Sequence, residues 1–113
     1  MTQITILQSA ADTRPDWVSR CMTSVADWSQ RQGYGYHFIG DELFDWVMPE
    51  LRTKLHDRTP ILADLARLRW IESELAARDR LVVWIDADTL VVDPDWCVPD
   101  SEHTIFGEEC WVQ

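Results

Sequence analysis

Asp86 and Asp88 stand two residues apart where the apolar run from Leu81 to Val92, LVVWIDADTLVV, is interrupted. Carboxylates at that spacing supply hard oxygen ligands of the kind that hold Mg²⁺ or Mn²⁺. The unbroken hydrophobicity ahead of them predicts a strand buried on both faces. In an open α/β sheet, ligands sit outside the carboxyl ends of such strands, so a carboxylate there is placed to hold a ligand or a metal. The triplet alone says little, because 13 aspartates among 113 residues make roughly one or two DxD patterns by chance. A second one, Asp93-Pro94-Asp95, does occur. Its proline marks a turn, and turn and solvation roles are expected for Asp93 and Asp95.

The elements that must position Asp86 are readable from periodicity. Gln3 to Gln8 alternates and is rich in β-branched residues, which predicts a first strand, followed by a loop from Ser9 to Arg14. Pro15 suits the first turn of a helix, along which Trp17, Val18, Cys21, Met22, Val25 and Trp28 recur until Gly33 stops it. Tyr34 to Ile39 reads as a second strand, completing a βαβ unit with parallel strands. The turn Gly40-Asp41 then shares a sheet edge with Asp86. Glu42 to Thr59 fits either a lid or a helical excursion, with a short amphipathic piece from Glu50 to His56. From Pro60 to about Arg78, Ile61, Leu65, Leu68, Ile71 and Leu75 form the expected packed stripe of a crossover helix leading into the DxD strand. Past Pro94, a Pro99-Asp100 turn and a short last strand from His103 to Gly107 are predicted.

Composition bounds the function. A chain with 46% hydrophobic and 27% charged residues is globular and of single-domain size. A net charge of −10 gives no electrostatic footprint for nucleic acid or an anionic membrane, so neither is an expected partner. A phosphate-bearing ligand would need local relief from a cation or a helix N-terminus. Cys21, Cys97 and Cys110 form no CxxC pair, which suggests reduced thiols and a cytoplasmic protein. No apolar run approaches the length of a membrane span, and no signal-peptide pattern opens the chain. Most of the seven tryptophans are expected to serve packing. His37, His56 and His103 carry no spacing that demands a catalytic or ligand role.

The segment from Ala63 to Pro94, ADLARLRWIESELAARDRLVVWIDADTLVVDP, resembles the donor-binding core of DxD glycosyltransferases of the GT-A fold. It is similar in particular to the sugar-binding-region DxD group, which includes capsular and mannosyl transferases and large glucosylating toxins. Those families carry a helix reading approximately S-D-x-x-R, a connecting loop, and an apolar strand ending in DxD. Ala63-Asp64-Leu65-Ala66-Arg67 and Asp86-Ala87-Asp88 supply the pattern, with Ala63 in place of the serine and Ala77-Arg78-Asp79 in place of a frequent Gly-Gly.

That resemblance implies an α/β fold with a Rossmann-like, mostly parallel sheet flanked by helices. Residues 1–113 would form the nucleotide-sugar-binding part of a GT-A domain, a partial fold whose acceptor-binding half lies elsewhere. The implied activity is metal-dependent transfer of a sugar from a nucleotide diphosphate sugar to a glycan, lipid or protein acceptor. Asp88 would bind Mn²⁺ or Mg²⁺ bridging the diphosphate, and Asp86 would contact the metal, its water, the ribose or the sugar. Asp64 and Arg67 would hold donor sugar hydroxyls, with Arg67 also reaching phosphate oxygens. The plain alternative for that pair is a surface ion pair at i, i+3.

Two other functional readings fit parts of the sequence. A phosphotransferase of the haloacid dehalogenase type also uses an apolar strand and DxD, with the first aspartate as nucleophile. Its motif normally opens the domain and continues with Gly then Thr or Val, whereas here Thr89-Leu90 follow. The other reading is a non-catalytic donor-binding remnant or interaction module. A donor half without its acceptor half is expected to expose apolar surface, with Trp96 and Trp111 the best candidates, and so to self-associate.

Overall fold

A computed structural model of the chain describes residues 3–77 and 80–99. Three parallel strands, β1 (Gln3–Ser9), β2 (Gly35–Ile39) and β3 (Arg80–Trp84), form one sheet in the order β2-β1-β3. The register pairs Thr5 with Gly35 and Ser9 with Ile39 on one side of β1, and Gln3 with Arg80 and Leu7 with Trp84 on the other. Parallel neighbours require crossovers, which α1 (Asp16–Gln32) and α3 (Thr59–Ala77) provide. The first crossover moves one way along the sheet and the second moves back past β1. A constant crossover hand therefore puts the two helices on opposite faces.

Each face has its own core. Ile6 of β1 packs with Val25 and Trp28 of α1, flanked by Ile4, Tyr36, Val83 and Ile85. Leu7 packs on the other face with Leu62, Ala66 and Trp70 of α3 and with Leu43 and Val47. The fold is thus α/β with a three-stranded parallel sheet flanked by helices, and Thr5 to Gln8 at its centre are buried from both sides. Among the described residues no helix is long and apolar enough to cross a membrane.

α1 ends where the glycine was expected to end it. Gly33 adopts φ 75°, its N–H donates to the Gln30 carbonyl at 3.1 Å, and Tyr34 N–H donates to the Ser29 carbonyl at 2.8 Å. Those bonds satisfy carbonyls that the helix end would otherwise leave open. Pro15 sits at the cap just before Asp16. Trp17 departs from the expected stripe: it is exposed, and the buried face is Met22, Val25, Trp28 and Ser29.

α3 corrects the sequence reading more sharply. Its core face is Leu62, Ala66 and Trp70, while Ile61, Leu68 and Leu75 are about half exposed. Leu65 and Ile71 pack only at the edge of the core. The large aliphatic side chains trace a stripe at a mean spacing near 3.5, whereas the sheet takes the i, i+4, i+8 row. Ala66 in the middle of that row lets the helix approach Leu7, and Trp70 fills the space beyond.

The stretch from Glu42 to Thr59 is a helical excursion: a 3-10 helix at Asp41–Trp46, then α2 at Pro49–Lys54. Leu43 and Val47 anchor it to α3. Past β3 the chain folds back over α1. Val91 N–H donates to Ser24 Oγ at 3.0 Å, Trp28 Nε1 donates to the Trp96 carbonyl at 2.8 Å, and Val98 N–H donates to the Tyr34 hydroxyl at 3.0 Å. Asp93-Pro94-Asp95 is a turn as expected, with Asp95 N–H donating to Asp93 Oδ1 and Asp95 paired with Arg31. Trp96 is half exposed, its other side stacked on Trp28 at 5.7 Å. Asp100, Cys110, Trp111, His103 and the short strand expected from His103 to Gly107 lie outside the described residues.

Candidate functional site

All three strands end at one edge, and a cleft of about 480 Å³ opens there. Its walls are Ser9 to Ala11 after β1, Gly40 and Asp41 after β2, Trp84 and Asp86 at the end of β3, and Thr59, Ala63, Asp64 and Arg67 from the first half of α3. The strand order reverses at β1, and the crevice beyond the carboxyl ends at such a reversal is where open α/β sheets bind ligands. A second cavity, about 440 Å³, lies between α1 and the returning segment and is lined by Asp27, Arg31, Val91 and Pro94. None of the DxD or α3 site residues reaches it.

Two loops are clamped to make the far wall. Asp12 N–H donates to Asp41 Oδ1 at 3.1 Å, and Asp41 N–H donates to Asp12 Oδ1 at 3.3 Å. The Asp12 carboxylate lies against the Cα of Gly40, where a Cβ would collide with it. A side chain at position 40 would push the exposed Asp12 carboxylate aside and disturb this clamp, so it is close approach rather than a positive φ, here −83°, that favours glycine.

The near wall is a chain of aromatic and charged contacts. Trp84 Nε1 donates to Asp86 Oδ1 at 3.0 Å. The Arg67 guanidinium lies over the Trp84 ring, 5.5 Å from its centroid, and Trp70 meets that ring edge-on at 5.8 Å. Arg67 also pairs with Asp64 at 3.2 Å. The ion pair named as the plain alternative therefore forms, and both of its members line the cleft. An exposed pair of this kind is worth only a few tenths of a kcal/mol, about 0.3, so a ligand can displace it at little cost.

Asp86 and Asp88 belong to one turn, closed by Thr89 N–H donating to the Asp86 carbonyl at 3.1 Å. Both are exposed; Asp86 lines the cleft, and Asp88 stands on the turn outside its lining. Among the described residues no three His, Cys, Asp or Glu side chains gather to hold a metal by themselves. The donors fit Mg²⁺ or Mn²⁺ in kind, because such ions bind through one or two carboxylates and complete their shell with waters and phosphate oxygens. His37 and His56 are exposed and outside the cleft.

Trp84 and Gln8 belong to no motif in the sequence, yet both support the site. Trp84 lies two residues before Asp86, and strand alternation alone puts both on one face. Gln8 follows the apolar pair Ile6-Leu7 near the end of β1, and nothing in its spacing marks it. It is wholly buried, accepts a hydrogen bond from the Tyr36 hydroxyl at 2.7 Å and donates from Nε2 to the Asp86 carbonyl at 3.3 Å. Burial raises the Tyr36 pKa above its ordinary 10, with the Arg14 charge acting in the opposite direction. The phenol thus stays protonated and able to donate. Because its folded pKa is raised, its contribution to stability is complete below about pH 10 and is lost as pH rises further. Melting curves from pH 8 to 11 should show a steeper alkaline loss for the wild type than for Tyr36→Phe, and identical slopes would remove Tyr36 as the cause.

Comparison of the chain with protein-family models, with curated proteins and with solved structures returns no match, so its function rests on the cleft itself.

Proposed function

We propose that this cleft binds the nucleotide diphosphate sugar of a metal-dependent glycosyltransferase, and that residues 1–113 are the donor-binding part of a GT-A domain. The observation that carries the reading is the convergence of Asp86 with Asp64 and Arg67 in one crevice at the carboxyl edge of a parallel sheet. Residues 60 to 67 and 84 to 88 are distant in sequence, and the resemblance to DxD glycosyltransferases rests on the same two segments.

The electrostatics favour a cation-assisted ligand. Asp41, Asp64 and Asp86 line the cleft, Asp12 is bonded to Asp41 just behind that wall, and among the described residues Arg67 is the one basic side chain in the lining. A bare diphosphate would be repelled by that ring in a chain of net charge −10. A divalent ion at Asp86 and Asp88 would cancel the repulsion and, as a Lewis acid, stabilise the departing nucleoside diphosphate. Arg67 keeps donors beyond the one it gives Asp64, and its fork suits phosphate oxygens. Asp64, three residues and nearly one full turn nearer the N-terminus of α3, accepts from sugar hydroxyls once a ligand displaces the ion pair.

Titration calorimetry with a nucleotide sugar and with the free nucleoside diphosphate, each with Mn²⁺, tests this assignment. Asp64→Ala should weaken the nucleotide sugar about tenfold and leave the free diphosphate nearly unchanged, because its contacts lie beyond the phosphates. Arg67→Ala should weaken both. Equal losses for the two ligands with Asp64→Ala would return the pair to a purely structural role, and no Mn²⁺-dependent binding of either ligand by the wild type would sink the donor-site reading.

A further inference from the structure

A glutamine in the middle of an apolar parallel sheet is retained at a cost unless its amide is used, and Gln8 is wholly shielded from solvent. The backbone ladder between β1 and β3 runs out where Ile85 N–H donates to the Leu7 carbonyl at 3.2 Å. One residue further along each strand, the Gln8 side chain takes over, with Nε2 donating to the Asp86 carbonyl at 3.3 Å. That carbonyl can only accept. The amide must therefore turn its nitrogen to Asp86 and its oxygen to the Tyr36 hydroxyl, which donates to it at 2.7 Å.

The Asp86 carbonyl also accepts Thr89 N–H at 3.1 Å, so it is held once inside its own turn and once from the central strand. The two hydrogen bonds to Gln8 lie on the α1 side of the sheet, with Ile6 and Tyr36. The Asp86 carboxylate lies on the other side, with Trp84 in the cleft. We propose that Gln8 is a positioning residue for the site: its amide, locked by Tyr36, supplies a side-chain rung beyond the end of the β1–β3 ladder and thereby sets where the Asp86 carboxylate enters the cleft. Gln8 touches no ligand. The proposal rests on the reading of the cleft as a nucleotide-sugar site.

Two variants and two readouts test it. Gln8→Met keeps the volume and removes both hydrogen bonds, while Tyr36→Phe removes only the lock on the amide. The indole N–H resonance of Trp84 reports the Asp86 carboxylate directly, because that N–H donates to Asp86 Oδ1. The indole N–H of Trp28 donates to the Trp96 carbonyl and reports the fold at the opposite helix. Calorimetry with UDP-glucose or GDP-mannose plus Mn²⁺ gives the affinity.

Gln8→Met should shift the Trp84 resonance, leave that of Trp28 in place, and weaken the nucleotide sugar at least about tenfold, with Tyr36→Phe acting in the same direction but less. A Trp84 resonance unmoved by both variants, or full affinity in both, overturns the positioning role while the donor site stands. A wild type that binds no nucleotide sugar overturns the donor site and the positioning role together, whatever the resonance does.

Discussion

On the donor-site proposal, Mn²⁺ and a uridine or guanosine diphosphate sugar together should stabilise the protein against heat, and Asp86→Asn should abolish that stabilisation while Asp88→Asn removes only part of it. A ligand at about 100 times its dissociation constant adds about 2.7 kcal/mol to stability. In a domain of this size that raises the melting temperature by about 10 °C. The asymmetry follows from placement: Asp86 lines the cleft, whereas Asp88 stands on the turn outside its lining. Asn at position 86 still offers an oxygen to the Trp84 indole, so the apo protein should melt close to the wild type. The measurement is a melting curve of each variant with metal alone, nucleotide sugar alone, and both. Equal stabilisation of wild type and Asp86→Asn would remove Asp86 from the site. Stabilisation that persists in a chelator would remove the metal.

The legible parts of the sequence were those governed by local rules. β1, β2 and α1 were set by alternation, by helical spacing and by Gly33, and each formed within a residue or two of its expected bounds. Asp86 at the edge shared with Gly40-Asp41 also followed, since parallel strands bring their carboxyl ends together. The inward face of α3 did not follow. Side-chain size picked out Ile61, Leu68 and Leu75, but the sheet selects the row containing Ala66, and only the shape of the opposing surface reveals that preference. The excursion from Asp41 to Lys54 is only partly legible, for a related reason: the amphipathic piece from Glu50 can be read, but a lid fits the sequence as well as a helical excursion does. Its two helices are six residues each, too short to establish a period, and Leu43 and Val47 are held by contacts with α3 rather than by propensity.

Within the site, the carboxylates were visible because charged residues break an apolar run, whereas their supports were hidden because they look like core. Trp84 reads as one more apolar residue of β3. In the fold it joins Asp86 to Arg67, two groups that the sequence leaves about twenty positions apart. Gln8 is the converse case, a polar residue whose purpose appears only when Tyr36 and Asp86 arrive from other elements.

Substitution of Trp84 should therefore have the largest effect on the cleft of any single side chain that bears no charge. Its indole gives a hydrogen bond to Asp86 Oδ1, its face carries the Arg67 guanidinium, and its ring meets Trp70 edge-on. Trp84→Phe keeps a ring for Arg67 and Trp70 but removes the N–H. Stability should fall by no more than about 1 kcal/mol, and nucleotide-sugar affinity by about tenfold, as Asp86 loses its tether. Trp84→Ala removes all three contacts. Because Trp84 is partly rather than fully buried, it should cost about 2–4 kcal/mol of stability, near the lower end of a buried aromatic truncation, and lower the affinity about a hundredfold. Melting curves and calorimetry with Mn²⁺ and nucleotide sugar separate the two effects, provided titrations are run well below each variant's own melting temperature. Wild-type affinity in Trp84→Phe would show that the indole bond does not set the Asp86 carboxylate. Wild-type affinity in a folded Trp84→Ala would show that Arg67 and Asp86 reach the ligand without their shared platform, and the near wall of the cleft would then have to be reassigned.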